Sequence, residues 1–69
     1  MTFDEACQAI LDDPKANGYA KAYAKAGLGM VGHACNVQAL YILNNIQHWR
    51  GPVAKQVRAV LKAISHAPM

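Results

Sequence analysis

Apolar and polar positions along this chain recur with helical period, and nowhere with the strict alternation of a strand. Phe3, Cys7, Ile10 and Leu11 fall on one side of a helix, with Glu5, Gln8 and Asp12 opposite. Thr2 and Glu5 have the spacing of a capping box, so a first helix is predicted over about 3–12. Pro14 stops it, because the proline ring disfavours helical geometry at Asp13. Asp13 and Pro14 then read as the N-cap and first position of a second helix, over about 15–26. Its apolar face is Tyr19, Ala22, Tyr23 and Ala26, and Lys21 and Lys25 stand opposite.

The third predicted helix, about 30–50, carries Val31, Cys35, Ala39, Ile42, Leu43, Ile46 and Trp49 on one apolar side. His33, Val37, Leu40, Tyr41, Asn44 and His48 mix apolar groups with amides and imidazoles on the other side. That flank is either a second packed face or an exposed recognition face. Gly51 and Pro52 supply the stop and start between this helix and a fourth, over about 52–66. There Val53, Val57, Val60, Leu61 and Ile64 point one way, and Lys55, Arg58, Lys62 and His66 the other. The expected fold is all-α, a small bundle of three to four short helices forming a single domain over 1–69.

Length and composition sharpen that picture. A domain of 69 residues buries only about 60% of the surface of its unfolded chain, which argues against a deep enzyme cleft. With 54% hydrophobic and 16% charged residues, a packed core is expected rather than disorder. The uncharged run Ala26 to Trp49 contains His33, Asn36, Gln38, Asn44, Gln47 and His48 among others, which is too polar for a lipid span. The acidic amino terminus lacks the basic and apolar regions of an export signal, so the expected location is the cytoplasm. Cys7 and Cys35 are then expected as core thiols, not a disulfide framework.

The net charge of +3 is unevenly placed: Asp4, Glu5, Asp12 and Asp13 precede all seven Lys and Arg residues. Such segregation suits docking to an acidic partner, or head-to-tail pairing of two copies.

The stretch Gly27 to Gly32, GLGMVG, has the letters of a dinucleotide-binding loop. That loop must follow a strand and be followed about 20 residues later by an acid. Here a helical pattern precedes it and no acid follows Asp13, so the glycines read as a connector. Gly27 is assigned the left-handed end of helix two, Gly29 the turn, and Gly32 a close helix crossing. His33 and Cys35, two positions apart, point away from each other on a helix, and no Cys-x-x-Cys pair exists. No metal or other cofactor is expected. Nothing positions a base beside Ser65 or either cysteine, so no enzymatic activity is expected either.

The candidate site is a surface. Lys55, Arg58 and Lys62, at i, i+3 and i+7, align three positive charges suited to phosphates or to an acidic protein. Tyr41, His48 and Arg50 are interface-type residues near the end of helix three, whereas Trp49 is assigned to the core.

Over residues 39–64, ALYILNNIQHWRGPVAKQVRAVLKAI, the chain resembles small uncharacterised helical proteins of tailed bacteriophages. The resemblance lies in Leu40 to Asn45, then Trp49-Arg50-Gly51, then the basic helix. It implies a protein that binds and disables a host machine such as RNA polymerase, a defence nuclease or a CRISPR complex, and it assigns no site residues. The expected function is therefore non-enzymatic inhibition or modulation of a host protein complex, in the host cytoplasm if the protein is phage-encoded. The alternative is a small nucleic-acid-binding regulator using the basic face of the last helix, with a homodimer open under either reading.

Overall fold

The computed structural model describes residues 1–66 and contains four helices: α1 (Phe3–Asp12), α2 (Gly18–Gly27), α3 (His33–Asn44) and α4 (Pro52–Ser65). α1 begins as its capping box dictates. The Glu5 amide donates to the Thr2 hydroxyl at 3.1 Å, and the Thr2 amide donates to the Glu5 carboxylate at 2.8 Å. Ala6, Cys7 and Ile10 are its buried face.

α2 starts later than its pattern suggests. Asp13 does not cap it: its carboxylate accepts from the Lys15 amide at 2.8 Å, folding residues 13–16 into a turn of their own. Asn17 is the cap, accepting from the Ala20 amide at 2.8 Å. The buried side of α2 is also different. Ala20, Ala24 and Gly27 face inward, and Tyr19 and Tyr23 are exposed.

The glycines exchange their expected roles. Gly27 is the last residue of α2 and the point of close approach, where an added Cβ would lie 3.1 Å from the Cys7 sulfur and the Phe3 ring. The left-handed backbone falls at Gly29 (φ 82°), while Gly32 (φ 64°) is the N-cap of α3 and has open space around it.

α3 ends at Asn44, not near residue 50. The side chain of Asn45 donates to the Tyr41 carbonyl at 2.9 Å, taking a backbone partner that a continuing helix needs. Shorter turns follow, with the Ile46 amide on the Leu43 carbonyl and the Trp49 amide on the Ile46 carbonyl. The break lets Ile46 and Trp49 both reach the core from a non-helical connection.

The connection is tied on three sides. The Trp49 indole donates to Asp13 at 2.8 Å, Asn17 donates to the Asn45 carbonyl, and the Arg58 guanidinium donates to the carbonyls of Trp49 and Ile46. Gly51 (φ 115°) then turns the chain into Pro52, the first residue of α4. In α4 the buried residues are Ala54, Val57 and Leu61, with Val60 and Ile64 half-buried and Val53 largely outside.

The helices pack in a ring, α1 against α2 and α4, and α3 against α2 and α4. One core runs through the middle, with Ile10, Ile42, Ile46, Leu61, Val57 and Cys7 its largest fully buried side chains. The all-α small bundle is therefore the fold. Among the described residues, no helix is long and apolar enough to cross a membrane.

Candidate functional site

α3 and α4 pack side by side, and the outer seam between them is an open groove of about 530 Å³. Residues one turn apart on each helix make its walls. Leu40, Leu43, Asn44 and Gln47 come from α3 and the turn that follows it, while Lys55, Arg58, Ala59, Lys62, Ser65 and His66 come from α4 and its end. The lining thus combines an apolar floor of Leu40, Leu43 and Ala59 with a cationic wall. Among the described residues, no Asp or Glu lines it.

The reason lies in where the acids went. Glu5 is committed to its capping box, and Asp4 accepts from the Gly29 amide at 3.2 Å. Asp12 accepts from Gln8 at 2.9 Å, and Asp13 from Lys15 and Trp49. All these donors are uncharged, so each acid helps to hold its own end of the molecule rather than neutralise α4. The Asp13 carboxyl is held below the usual carboxylate range by the Lys15 amide first, then by the Trp49 indole.

Lys55, Arg58 and Lys62 share the groove as their spacing predicts, but they are not equivalent. Arg58 is half-buried and already holds the carbonyls of Ile46 and Trp49. Lys55 and Lys62 are exposed. The other expected residues lie elsewhere. His48 and Arg50 are exposed on the α3–α4 connection and do not line the groove. Tyr41 sits on the opposite flank of α3, its ring 5.9 Å from that of Tyr23 on α2.

The mixed side of α3 is accordingly exposed rather than packed: Val37, Leu40 and Tyr41 all reach solvent, as do His33 and Asn44. Gln38, which the pattern did not single out, is the buried polar residue of the core. Its amide donates to the Tyr23 carbonyl at 2.7 Å and ties α3 to α2. The groove's apolar floor also escaped the sequence reading. The available signal was the i, i+3, i+4, i+7 series Leu40, Leu43, Asn44 and Gln47.

The two thiols differ. Cys7 is fully buried, and burial, followed by the nearby Asp4 carboxylate and Cys35, pushes its pKa up to about 11. Such a thiol stays protonated at neutral pH. Cys35 is only half-buried, against the core expectation, and its sulfur contacts the Met30 carbonyl at 3.0 Å. Among the described residues, no three His, Cys, Asp or Glu side chains gather as a metal site. Comparison with family models, curated proteins and solved structures finds no match to this chain.

Proposed function

We propose that this chain is a non-enzymatic binding protein of phage type that inhibits or modulates a host protein complex by seating an acidic segment of it in the α3–α4 groove. The observation that carries this reading is the lining, which among the described residues sets Lys55, Arg58, Lys62 and His66 beside Leu40, Leu43 and Ala59 and includes no Asp or Glu. An apolar floor beside a cationic wall suits a partner helix that is apolar on one side and acidic along its edge. Charge complementarity of this kind speeds encounter and fixes register more than it adds raw affinity.

The same cations support a second reading, in which the groove tracks the phosphates of a nucleic acid. The two differ in what they ask of the floor. Phosphate contact needs the lysines alone, whereas a peptide helix also needs Leu40.

The test uses tagged protein and host lysate, with and without nuclease. Under the protein-partner reading, one host complex is retained in both lysates. Lys55→Glu/Lys62→Glu and Leu40→Asp each weaken its retention about tenfold or more, with unfolding unchanged. Arg58 is left intact because of its carbonyl bonds. Retention that vanishes with nuclease, falls steeply with salt and ignores Leu40→Asp turns the assignment to nucleic acid. Equal binding by the lysine variant removes the groove from either role.

A further inference from the structure

On the flank of α3 away from the groove, the molecule carries a second surface that the first does not explain. Tyr19, Tyr23 and Ala26 of α2 lie beside Ala34, Val37 and Tyr41 of α3, all exposed. Tyr19 is 76% exposed, Tyr41 48%, and Tyr23 and Val37 39% each. The Tyr23–Tyr41 contact joins the two helices' contributions into one patch. This is the amphipathic face that α2 displays in its sequence, and the fold leaves it outside.

We infer that this face binds the same face of a second copy of the chain, giving a two-fold dimer. The inference does not depend on what fills the groove. Three observations select a second copy as the occupant.

The first is charge. Each copy carries +3, and the six residues of the face bear no formal charge, so two like-charged bodies can meet there without opposing cations.

The second is area. With about 200 Å² for a whole tyrosine, the exposed part of the face is on the order of 500 Å² per copy. Pairing then removes on the order of 1,000 Å² in total, the lower limit for a specific interface and larger than scattered surface apolar groups require.

The third is the core. Ala6, Ala16, Ala20, Ala24, Ala39 and Ala54 make up nearly half of its buried members, so the monomer buries few large side chains. Small domains commonly supply such a deficit by association. Tyrosine also suits an interface better than a core, with much contact area for two rotatable bonds.

Sedimentation velocity from about 10 μM to about 1 mM covers the range in which an interface of this size associates. The expected result is a mass rising from 7.5 kDa toward twice that value. Tyr19→Lys/Tyr41→Lys should stay at the monomer mass throughout, because each substitution places like charges across the two-fold axis. Its helical circular dichroism and buried Trp49 fluorescence should match the parent. If the double variant loses its fold, Tyr19→Lys alone, at the most exposed position, should still shift the midpoint of association upward at least about tenfold. Lys55→Glu/Lys62→Glu should dimerise like the parent. A parent that remains monomeric at the highest concentration overturns the inference, as do folded tyrosine variants that associate unchanged. Dissociation caused by the groove variant instead would place the interface on α4 and overturn it equally.

Discussion

α2 and α4 are both short helices with lysines along one side, yet they bury opposite kinds of residue. α4 turns Val57 and Leu61 inward beside Ala54, with Val60 and Ile64 half-buried. α2 turns Ala20, Ala24 and Gly27 inward and leaves its tyrosines outside. The difference is one of mechanism. α4 is held by the area it removes from water, about 1.5–3 kcal/mol for each large side chain fully buried. α2 is held by proximity: small residues let its backbone approach α1 until a methyl on Gly27 would lie 3.1 Å from the Cys7 sulfur and the Phe3 ring, closer than ordinary contact. Many short-range contacts at native packing density replace a few bulky ones. The tyrosines of α2 would prevent that approach, which is why its more hydrophobic-looking face is the one displaced.

The contrast predicts opposite sensitivities. Truncating the inward face of α4 should do the greatest damage. Leu61→Ala removes a side chain with no exposed surface, and it should cost about 2–5 kcal/mol because the surrounding core cannot collapse fully into the space. Urea unfolding should show the midpoint collapsing, with much of the chain unfolded before denaturant is added, since a small domain has little stability to lose. A loss below about 0.5 kcal/mol, the range of an ordinary surface substitution, would mean that α4 is not held by area and would end the comparison.

Enlarging the inward face of α2 should be the next most harmful change. Ala24→Leu places extra carbons where the helix meets the core with no exposed surface, and it should cost about 1–3 kcal/mol through overpacking. The opposite change on the outer face, Tyr19→Ala, should leave the monomer's stability within about 0.5 kcal/mol. Measured together at a concentration that keeps the protein monomeric, the pair separates the two faces of one helix. If Ala24→Leu were neutral, the alanine face would be loosely packed, and the exclusion of the tyrosines would need another cause.

The same mechanism explains how much of this molecule is legible in its sequence. α1 and α4 are, because in each the capping or stop signals agree with a single apolar face: Thr2 with Glu5 and Phe3 to Ile10, Gly51 with Pro52 and Val57 to Leu61. α2 has two apolar faces, one aromatic and one of alanine. Hydrophobicity ranks the aromatic face first, whereas packing against Cys7 and Phe3 selects the other. The end of α3 depends on partners remote in sequence. Asn17 and Arg58 hold the carbonyls of Asn45 and Ile46, which a helix through residue 50 would have spent on itself. The site follows the same division. Alignment of Lys55, Arg58 and Lys62 is a property of one helix and can be read from spacing. The apolar floor, the use of Arg58 within its own chain and the separation of Tyr41 from the cations all arise from how α3 sits between its neighbours.

The mildest perturbation concerns the tie between the two halves. Asp13, in the turn before α2, accepts from the Trp49 indole in the turn before α4, so it joins the regions whose packing differs most. Its carboxyl is held below the usual range by the Lys15 amide and then by Trp49, which means that the folded state favours the ionised form. A depressed folded pKa contributes stability that is complete above the unfolded value of about 4 and is lost as pH falls through the depressed one. The melting temperature should therefore hold level from about pH 7 to about pH 5 as far as this group is concerned, and decline below about pH 4. Glu5, lowered by the Thr2 amide and hydroxyl, adds a limb of the same sign. The Lys15 amide and the Trp49 indole use different oxygens of Asp13, so Asp13→Asn keeps an acceptor for one of them only, and it should lower the melting temperature slightly at neutral pH while making the acid decline shallower. Superimposable acid limbs in the two proteins would show that the tie carries no pH dependence. Following the decline by both Trp49 fluorescence and helical circular dichroism sharpens the contrast between the helices. Coincident transitions mean that the alanine-packed and leucine-packed halves unfold as one, whereas an earlier fluorescence change means that the connection opens while α2 and α4 keep their separate packing.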